Sequence, residues 1–280
     1  MGTLYLIATP IGNLEDISGR ALRLLGEVRL IAAEDTRHTR KLLAHYEIHT
    51  PLTSYHEHNK QNKLHHVLAE LSLGDVALVS DAGTPGLNDP GYELVRAALN
   101  LGYSVSPVPG PSAPVAALVV SGLPTDAFLY LGYLPRKASE RRKLLQEVAR
   151  LSYTLVLLEA PHRLLAGLQD MLAVLGNRKA ALARELTKLH EQIFRGTLQE
   201  ALEYFQEHEP RGEFTLVVAG FGSQAEEWAE DQVRGALQVE LAAGESPARA
   251  ASRVAARSGW ARRKVYHLLT ETKSTGKVSQ

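Results

Sequence analysis

Two rhythms of apolar positions alternate along the chain. Short runs rich in aliphatic and β-branched residues stand at 3–9, 28–33, 52–55, 76–80 and 105–108. Between them, apolar residues recur at helical spacing over 18–26, 37–46, 60–73 and 92–99, and again after PGPSAP as far as Val120. The strand runs are apolar on both faces. Such strands alternating with helices predict an α/β fold around a mostly parallel sheet. Ser121-Gly122-Leu123-Pro124 interrupts the pattern, and a second set follows with strands at 128–133, 154–158, 180–185, 192–196 and 214–219. Helical spacing separates them at 138–151, 162–175 and 198–207. The later strands are joined by short connections, which predicts a mixed, partly antiparallel sheet. No strand pattern follows. The expected organisation is an N-terminal α/β domain over 1–121, a C-terminal α/β domain over 122–222 and a small helical appendage over 223–280.

Composition narrows the chemistry. The 280 residues include no cysteine, which excludes disulfides, thiolate zinc sites, iron–sulfur clusters and cysteine nucleophiles. Apolar residues make up 45% and charged residues 22%, an ordinary globular balance. No stretch approaches the roughly 18 uninterrupted apolar residues of a membrane span, so a soluble, cytoplasmic protein without membrane contact is expected. The 31 basic and 31 acidic side chains sum to zero, but unevenly. Residues 221–240 carry −4, residues 241–280 carry +6, and the rest carry −2. A neutral total therefore hides a basic end able to meet nucleic acid.

The most informative stretch is Ser80-Asp81-Ala82-Gly83-Thr84-Pro85-Gly86-Leu87-Asn88-Asp89-Pro90-Gly91. It leaves a buried strand at its carboxyl end, where open α/β sheets place their ligands. Its glycines and prolines let backbone approach a ligand in a fixed shape. It matches neither G-x-G-x-x-G nor G-x-x-x-x-G-K-[ST], so a ligand without phosphates fits better. Two other turns hold equivalent positions: Ala8-Thr9-Pro10-Ile11-Gly12-Asn13 after the first strand, and Pro109-Gly110-Pro111-Ser112-Ala113-Pro114 after the fifth. Each alone reads as a plain turn. Three turns after strands of one sheet are expected to rim one crevice.

Polar clusters supply further candidates. Glu34-Asp35-Thr36-Arg37 ends the second strand and Ser54-Tyr55-His56-Glu57-His58-Asn59 ends the third. His56 and His58 would share a face of an extended segment, as a metal pair requires, but no further set of spaced ligands accompanies them and no metal is expected. Arg184–Lys188 and Glu159–Arg163 follow strands of the second set and could close a crevice from the opposite side. Arg136, Lys137, Arg141, Arg142 and Lys143 form a basic knot suited to phosphate contacts or to a solvated helix face. In the tail, Ser246-Pro247 starts a helix on which Arg249, Arg253 and Arg257 recur every four residues. Ser258-Gly259 breaks it, and 261–269 resumes with Arg262, Arg263 and Lys264. The pattern reads as a helix-turn-helix or as a basic helical hairpin.

The motifs LYLIATPIGNLEDIS, AAEDTRHTRKLL, SYHEHN, LVSDAGTPGLNDPG, PGPSA and EAPHR resemble the tetrapyrrole methylase superfamily, in particular its branch acting on ribosomal RNA. The resemblance spans residues 1–220, and the tail fits the same branch. It implies a two-domain fold that holds S-adenosylmethionine in the cleft between the domains, and a homodimer. It also implies methyl transfer to the ribose 2′-oxygen of a cytidine in small-subunit (16S) ribosomal RNA. By motif, Ser80, Asp81, Gly83 and Thr84 match the cofactor loop, and Ser112 and Ala113 the small-residue turn beside it. Glu159 and Leu186 match positions where the second domain touches the cofactor. TPIGN replaces the G-x-G-P-G of the tetrapyrrole enzymes, which counts against a tetrapyrrole substrate, and Pro10 is expected to wall the cleft. For such a transfer, position after sheet strands makes Asp35, His56 and Glu57 candidate bases and Arg37 a holder of a flanking phosphate. Two other readings stay open: a methyltransferase for a small molecule or protein, and a non-catalytic nucleic-acid-binding regulator.

Overall fold

A computed structural model of the chain describes residues 2–57, 59–222, 228–258, 260 and 262–274. The first half runs β1 (Thr3–Ile7), α1 (Gly19–Glu27), β2 (Leu30–Ala33), α2 (Thr36–His45), β3 (Leu52–Ser54), α3 (Lys60–Leu73), β4 (Val76–Val79), α4 (Tyr92–Asn100) and β5 (Ser104–Val108). All five strands are parallel, in the order β3-β2-β4-β1-β5. Alternate side chains of each strand pack on opposite faces, as the two-residue period of a strand requires. Ile7, Ile31 and Val79 meet Leu24 and Leu25 of α1 and Leu42 and Leu43 of α2. Leu4, Leu30 and Leu78 meet Val67 and Leu71 of α3 and Leu94 of α4. Burial on both faces explains why these strands read as unbroken apolar runs.

The second half follows helix α5 (Ala113–Val120) with β6 (Phe128–Tyr133), α6 (Ala138–Val148), β7 (Thr154–Glu159), α7 (Leu164–Leu175), β8 (Lys179–Arg184), β9 (Gln192–Thr197), α8 (Leu198–Glu207) and β10 (Phe214–Val218). The strand order is β6-β7-β10-β8-β9, with β6 and β7 parallel and the other neighbours antiparallel. The mixed sheet expected from the short connections is present. One face packs on α6, α7 and α8. The other is covered by α5, whose Ala117 and Leu118 meet Val156, Ala181 and Val217. That helix precedes the expected boundary in the chain, yet its apolar side belongs to the second sheet.

Helix α8 begins in a reciprocal cap: Thr197 Oγ1 accepts from the Glu200 amide at 3.2 Å, and the Glu200 carboxylate accepts from the Thr197 amide at 2.7 Å. Thr197→Ala is expected to cost about 1 kcal/mol. Urea titration will show it as a lower midpoint with an unchanged slope.

The tail forms α9 (Glu230–Ala242), α10 (Pro247–Ser258) and α11 (Arg262–Ser274) around a core of its own, with Val233, Leu237, Val254 and Val265 buried together. The Trp260 indole donates to the Trp228 carbonyl at 2.8 Å and ties Trp260 to the chain just before α9. The expected run of three arginines on α10 is modified. Arg253 is engaged by Glu240 and Glu245 at 3.2 and 2.8 Å, and the Arg257 side chain lies outside the described residues. Arg249, Arg262, Arg263 and Lys264 are exposed, with Lys264 Nζ 4.0 Å from the centre of the Trp260 ring. Among the described residues no helix is long and apolar enough to cross a membrane.

Candidate active site

Parallel strands end together, so the loops that leave them converge on one edge of the sheet. Three of those loops are tied to each other. Thr9 and Gly83 exchange backbone hydrogen bonds at 2.9 and 3.0 Å, and Thr9 Oγ1 donates to the Ser80 carbonyl at 3.1 Å. Thr84 Oγ1 donates to the Pro111 carbonyl at 3.4 Å. A Cβ on Gly110 would stand 3.0 Å from that of Ala8, so the first and fifth loops touch through a glycine. The single rim expected from the three turns is what the structure contains.

Facing this rim is the second sheet, and between them lies a cleft of about 360 Å³. Ile11, Gly83, Thr84, Asp89, Ser112 and Ala113 line one side; Tyr130, Tyr133, Glu185, Leu186, Lys188 and Glu213 line the other. A β-bulge makes the tyrosine wall possible. The register of β6 on β7 slips between Tyr130 and Gly132, where Gly132 has φ +64°. The extra residue turns Tyr130 and Tyr133, which strand alternation would place on opposite faces, toward the same cleft. Asn88, left-handed at φ +66°, fills the space at Gly132: a Cβ there would meet its amide at 2.4 Å. On the other wall, Glu185 and Thr187 take φ +51° and +65°. Non-glycine residues held so are strained, and such strain gathers at functional sites.

Acidic groups dominate the electrostatics. The Glu34 carboxylate accepts from the Asp81 amide at 3.3 Å, and Asp81 accepts from the Asp35 amide at 2.9 Å. Burial raises the Glu34 pKa, with the Asp81 charge adding to it. Asp89, hydrogen-bonded to Ser80, is pushed up to about 7 by burial and then by the charges of Glu34, Asp81 and Glu213. Burial also pushes the Tyr130 hydroxyl up to about 12 and, with Glu213 accepting its hydrogen bond, raises Tyr133. The Tyr130 hydroxyl and Thr187 Oγ1 are buried with no hydrogen-bond partner among the described residues.

The residues named from sequence separate into groups. Gly83, Thr84, Ser112, Ala113 and Leu186 line the cleft. Ser80 and Asp81 lie beneath its floor, where Ser80 meets Asp89 and Asp81 braces β2 against β4. Pro10 stands in the rim but outside the lining. Glu159, 1% exposed, turns away from the cleft and holds Arg163 at 3.2 Å. Asp35 caps α2 by accepting from the Arg37 amide at 2.8 Å and pairs with the Arg37 guanidinium at 2.7 Å. That pair holds the Asp35 carboxyl far below the usual carboxylate range. Glu57 is exposed and paired with Lys60 at 2.7 Å. His56 is half-buried beside Glu34, outside the lining. His58 lies outside the described residues. Tyr130, Tyr133 and Glu213 carry no site signal in the sequence: their place on the cleft depends on the bulge and on loop docking, which leave no periodic trace.

The fold and the cleft define a two-sheet α/β protein with an open cleft where the parallel strands end. Comparison with known proteins narrows the class. The family model for Tetrapyrrole (Corrin/Porphyrin) Methylases matches residues 3–202, and the chain belongs to that family. It is 49% identical over 279 residues to a ribosomal RNA small subunit methyltransferase I from Synechocystis sp., covering 99% of this chain and 100% of the relative. It is 52% identical to the protein of that name from Halalkalibacterium halodurans, covering 80% of this chain and 78% of the relative. Among solved structures, diphthine synthase shares the fold at a TM-score of 0.60 and 13% identity, covering 78% of this chain and 90% of that one. A uroporphyrin-III-C-methyltransferase from Thermus thermophilus does so at 0.55 and 24%, covering 78% and 94%.

Proposed function

We propose that this chain transfers a methyl group from S-adenosylmethionine to the ribose 2′-oxygen of a cytidine in 16S ribosomal RNA. We further propose that it acts as a homodimer in the cytoplasm. The observation that carries the reading is the extent of the likeness: the Synechocystis relative, named for small-subunit ribosomal RNA, aligns through the tail as well as the two sheets.

The cleft fits the cofactor. Small residues at Gly83 and Ala113 leave room for a close-packed ligand, and the unpartnered Tyr130 hydroxyl is available to it. Glu185 and Glu213 suit a cation, and no glycine-rich phosphate loop is present. When bound, S-adenosylmethionine supplies a methyl group on a positively charged sulfur, already activated for displacement. The work left to the chain is alignment and proton removal. Ile11 and Leu186 exclude water from the two sides of the cleft. The exposed Arg249, Arg262, Arg263 and Lys264 supply the charge that draws in an RNA backbone.

Replacing Arg262, Arg263 and Lys264 together with glutamine tests this reading. Affinity for small-subunit rRNA should fall at least ~10-fold, and the slope of log affinity against log salt should flatten by about 2 for three lost phosphate contacts. Calorimetric affinity for S-adenosylmethionine should not change. Mapping ribose methylation of rRNA by mass spectrometry, with and without the wild-type protein, tests the reaction itself; an unchanged map sinks it.

A further inference from the structure

A ribose hydroxyl is a weak acid, and a methyl transfer to its oxygen requires a group that removes the proton. The carboxylates that follow β2 and β3 are poorly placed for that. Asp35 is stabilised as an anion by Arg37, which makes it a weak base, and Glu57 is occupied by Lys60 at the surface. The cleft itself holds Asp89. It sits in the turn between left-handed Asn88 and Pro90, and Asn88 is wedged against the Gly132 bulge of β6. The turn therefore holds Asp89 at the junction of the two sheets, on the cleft surface. From the first sheet it faces Ser80, Glu34 and Asp81; from the second it faces Glu213, Tyr130 and Tyr133. Arg184, Glu185 and Lys188 line the same cleft, and His56 stands behind Glu34.

Resting on the methyl-transfer reading, we propose that Asp89 is the general base for the acceptor hydroxyl. As the ribose oxygen forms its bond to the methyl carbon, the carbon–sulfur bond breaks and its electron pair stays on sulfur. The O–H proton passes to the Asp89 carboxylate. The positive charge of the donor and the negative charge of Asp89 are both lost, so the products are neutral at both places. The surroundings suit the role. A carboxylate crowded by three others gains by taking a proton, and one that titrates near neutral pH combines availability with basicity. Ser80 orients it, and the Tyr133–Glu213 hydrogen bond keeps the carboxylate on the second sheet engaged.

Asp89→Asn is the direct test, measured with full-length protein and rRNA. It should lower kcat by about 100-fold or more and leave the Kd for S-adenosylmethionine within about twofold. The wild-type rate should rise with pH through about 7 as Asp89 ionises, and that limb should vanish in D89N. Asp89→Glu, which keeps a carboxylate, should restore a pH-dependent rate. A second readout is independent of catalysis. An Asp with its pKa raised from 3.8 to about 7 by folding costs stability progressively as pH rises between those values. D89N should therefore melt with wild type near pH 4 and above it beyond pH 7. D89N retaining the wild-type rate and its pH limb overturns the proposal, as does a D89E as inactive as D89N with cofactor bound. A D89N that no longer binds cofactor likewise overturns it, by assigning Asp89 to the binding site. Failure of the wild-type protein to methylate rRNA would instead remove the methyl-transfer reading beneath it.

Discussion

Gly12→Val is expected to weaken S-adenosylmethionine binding by at least about 100-fold, some 2.7 kcal/mol, while leaving both sheets folded. Gly12 lies in the first loop of the parallel sheet and touches the loop after β8. A Cβ there would stand 2.5 Å from the Leu186 carbonyl oxygen, 2.5 Å from the Lys188 side chain and 2.8 Å from Thr187 Oγ1. The lysine stem can move. The Leu186 carbonyl cannot do so cheaply, because it belongs to a loop already held at positive φ on both sides, at Glu185 and Thr187. The added atoms must therefore push apart the walls that carry Ile11 and Leu186. Ile11 and Leu186 share the small cluster under α5, but the larger part of each sheet's core lies elsewhere, so circular dichroism should change little. Gly19→Ala is the control: nothing lies within 4 Å of its Cβ, and α1 should gain from the better helix former. Calorimetric titration decides the matter. Wild-type affinity in G12V would mean that contact between these loops does not set the cleft.

What the sequence could and could not disclose follows from which forces leave a periodic trace. Strands buried on both faces read as apolar runs, and α3 and β6 emerge at Lys60–Leu73 and Phe128–Tyr133 as their spacing predicts. The three-turn rim was legible because parallel strands must deliver their loops to one edge, so Gly83, Thr84, Ser112 and Ala113 could be placed together. Asp35 has a local structural role that its position after a strand does not disclose. An Asp directly before a helix serves as its cap, and Arg37 two residues on completes the pair. Glu159 is the last residue of β7, one beyond the expected strand end, and its side chain turns inward to Arg163. The tyrosine wall could not be read at all, since a bulge reverses the alternation on which strand reasoning rests. The tail shows the reverse case. Its net charge was plain in the sequence, whereas the capture of Arg253 by Glu240 and Glu245 depends on how α9 packs against α10.

Asp170→Ala is expected to destabilise the fold by about 3–5 kcal/mol, lowering Tm by roughly 10 °C. Asp170 of α7 binds Arg141 of α6 at 2.5 Å, with side chains 5% and 7% exposed, and also takes Arg142 at 2.6 Å. Arg141 donates as well to the carbonyls of Pro135 and Arg136, both at 3.2 Å. Truncating the aspartate leaves a buried guanidinium without its countercharge. Removing both partners should be far milder, because the desolvation of two ions is then avoided: Arg141→Met with Asp170→Leu should lie within about 1 kcal/mol of wild type. Thermal melts of the single and double variants separate these outcomes, and equal losses in both would mean that the site matters for packing alone. The pair also bears on the cleft. The backbone it grips at Pro135 and Arg136 continues from Tyr133 and Leu134, and Arg163 donates to the Leu134 carbonyl from the other side. Loss of Asp170 should therefore loosen the end of β6 that carries Tyr133. In the double variant the same carbonyls lose Arg141 without the electrostatic penalty. If that grip positions Tyr133, the double variant will regain its melting temperature but bind S-adenosylmethionine more weakly than wild type.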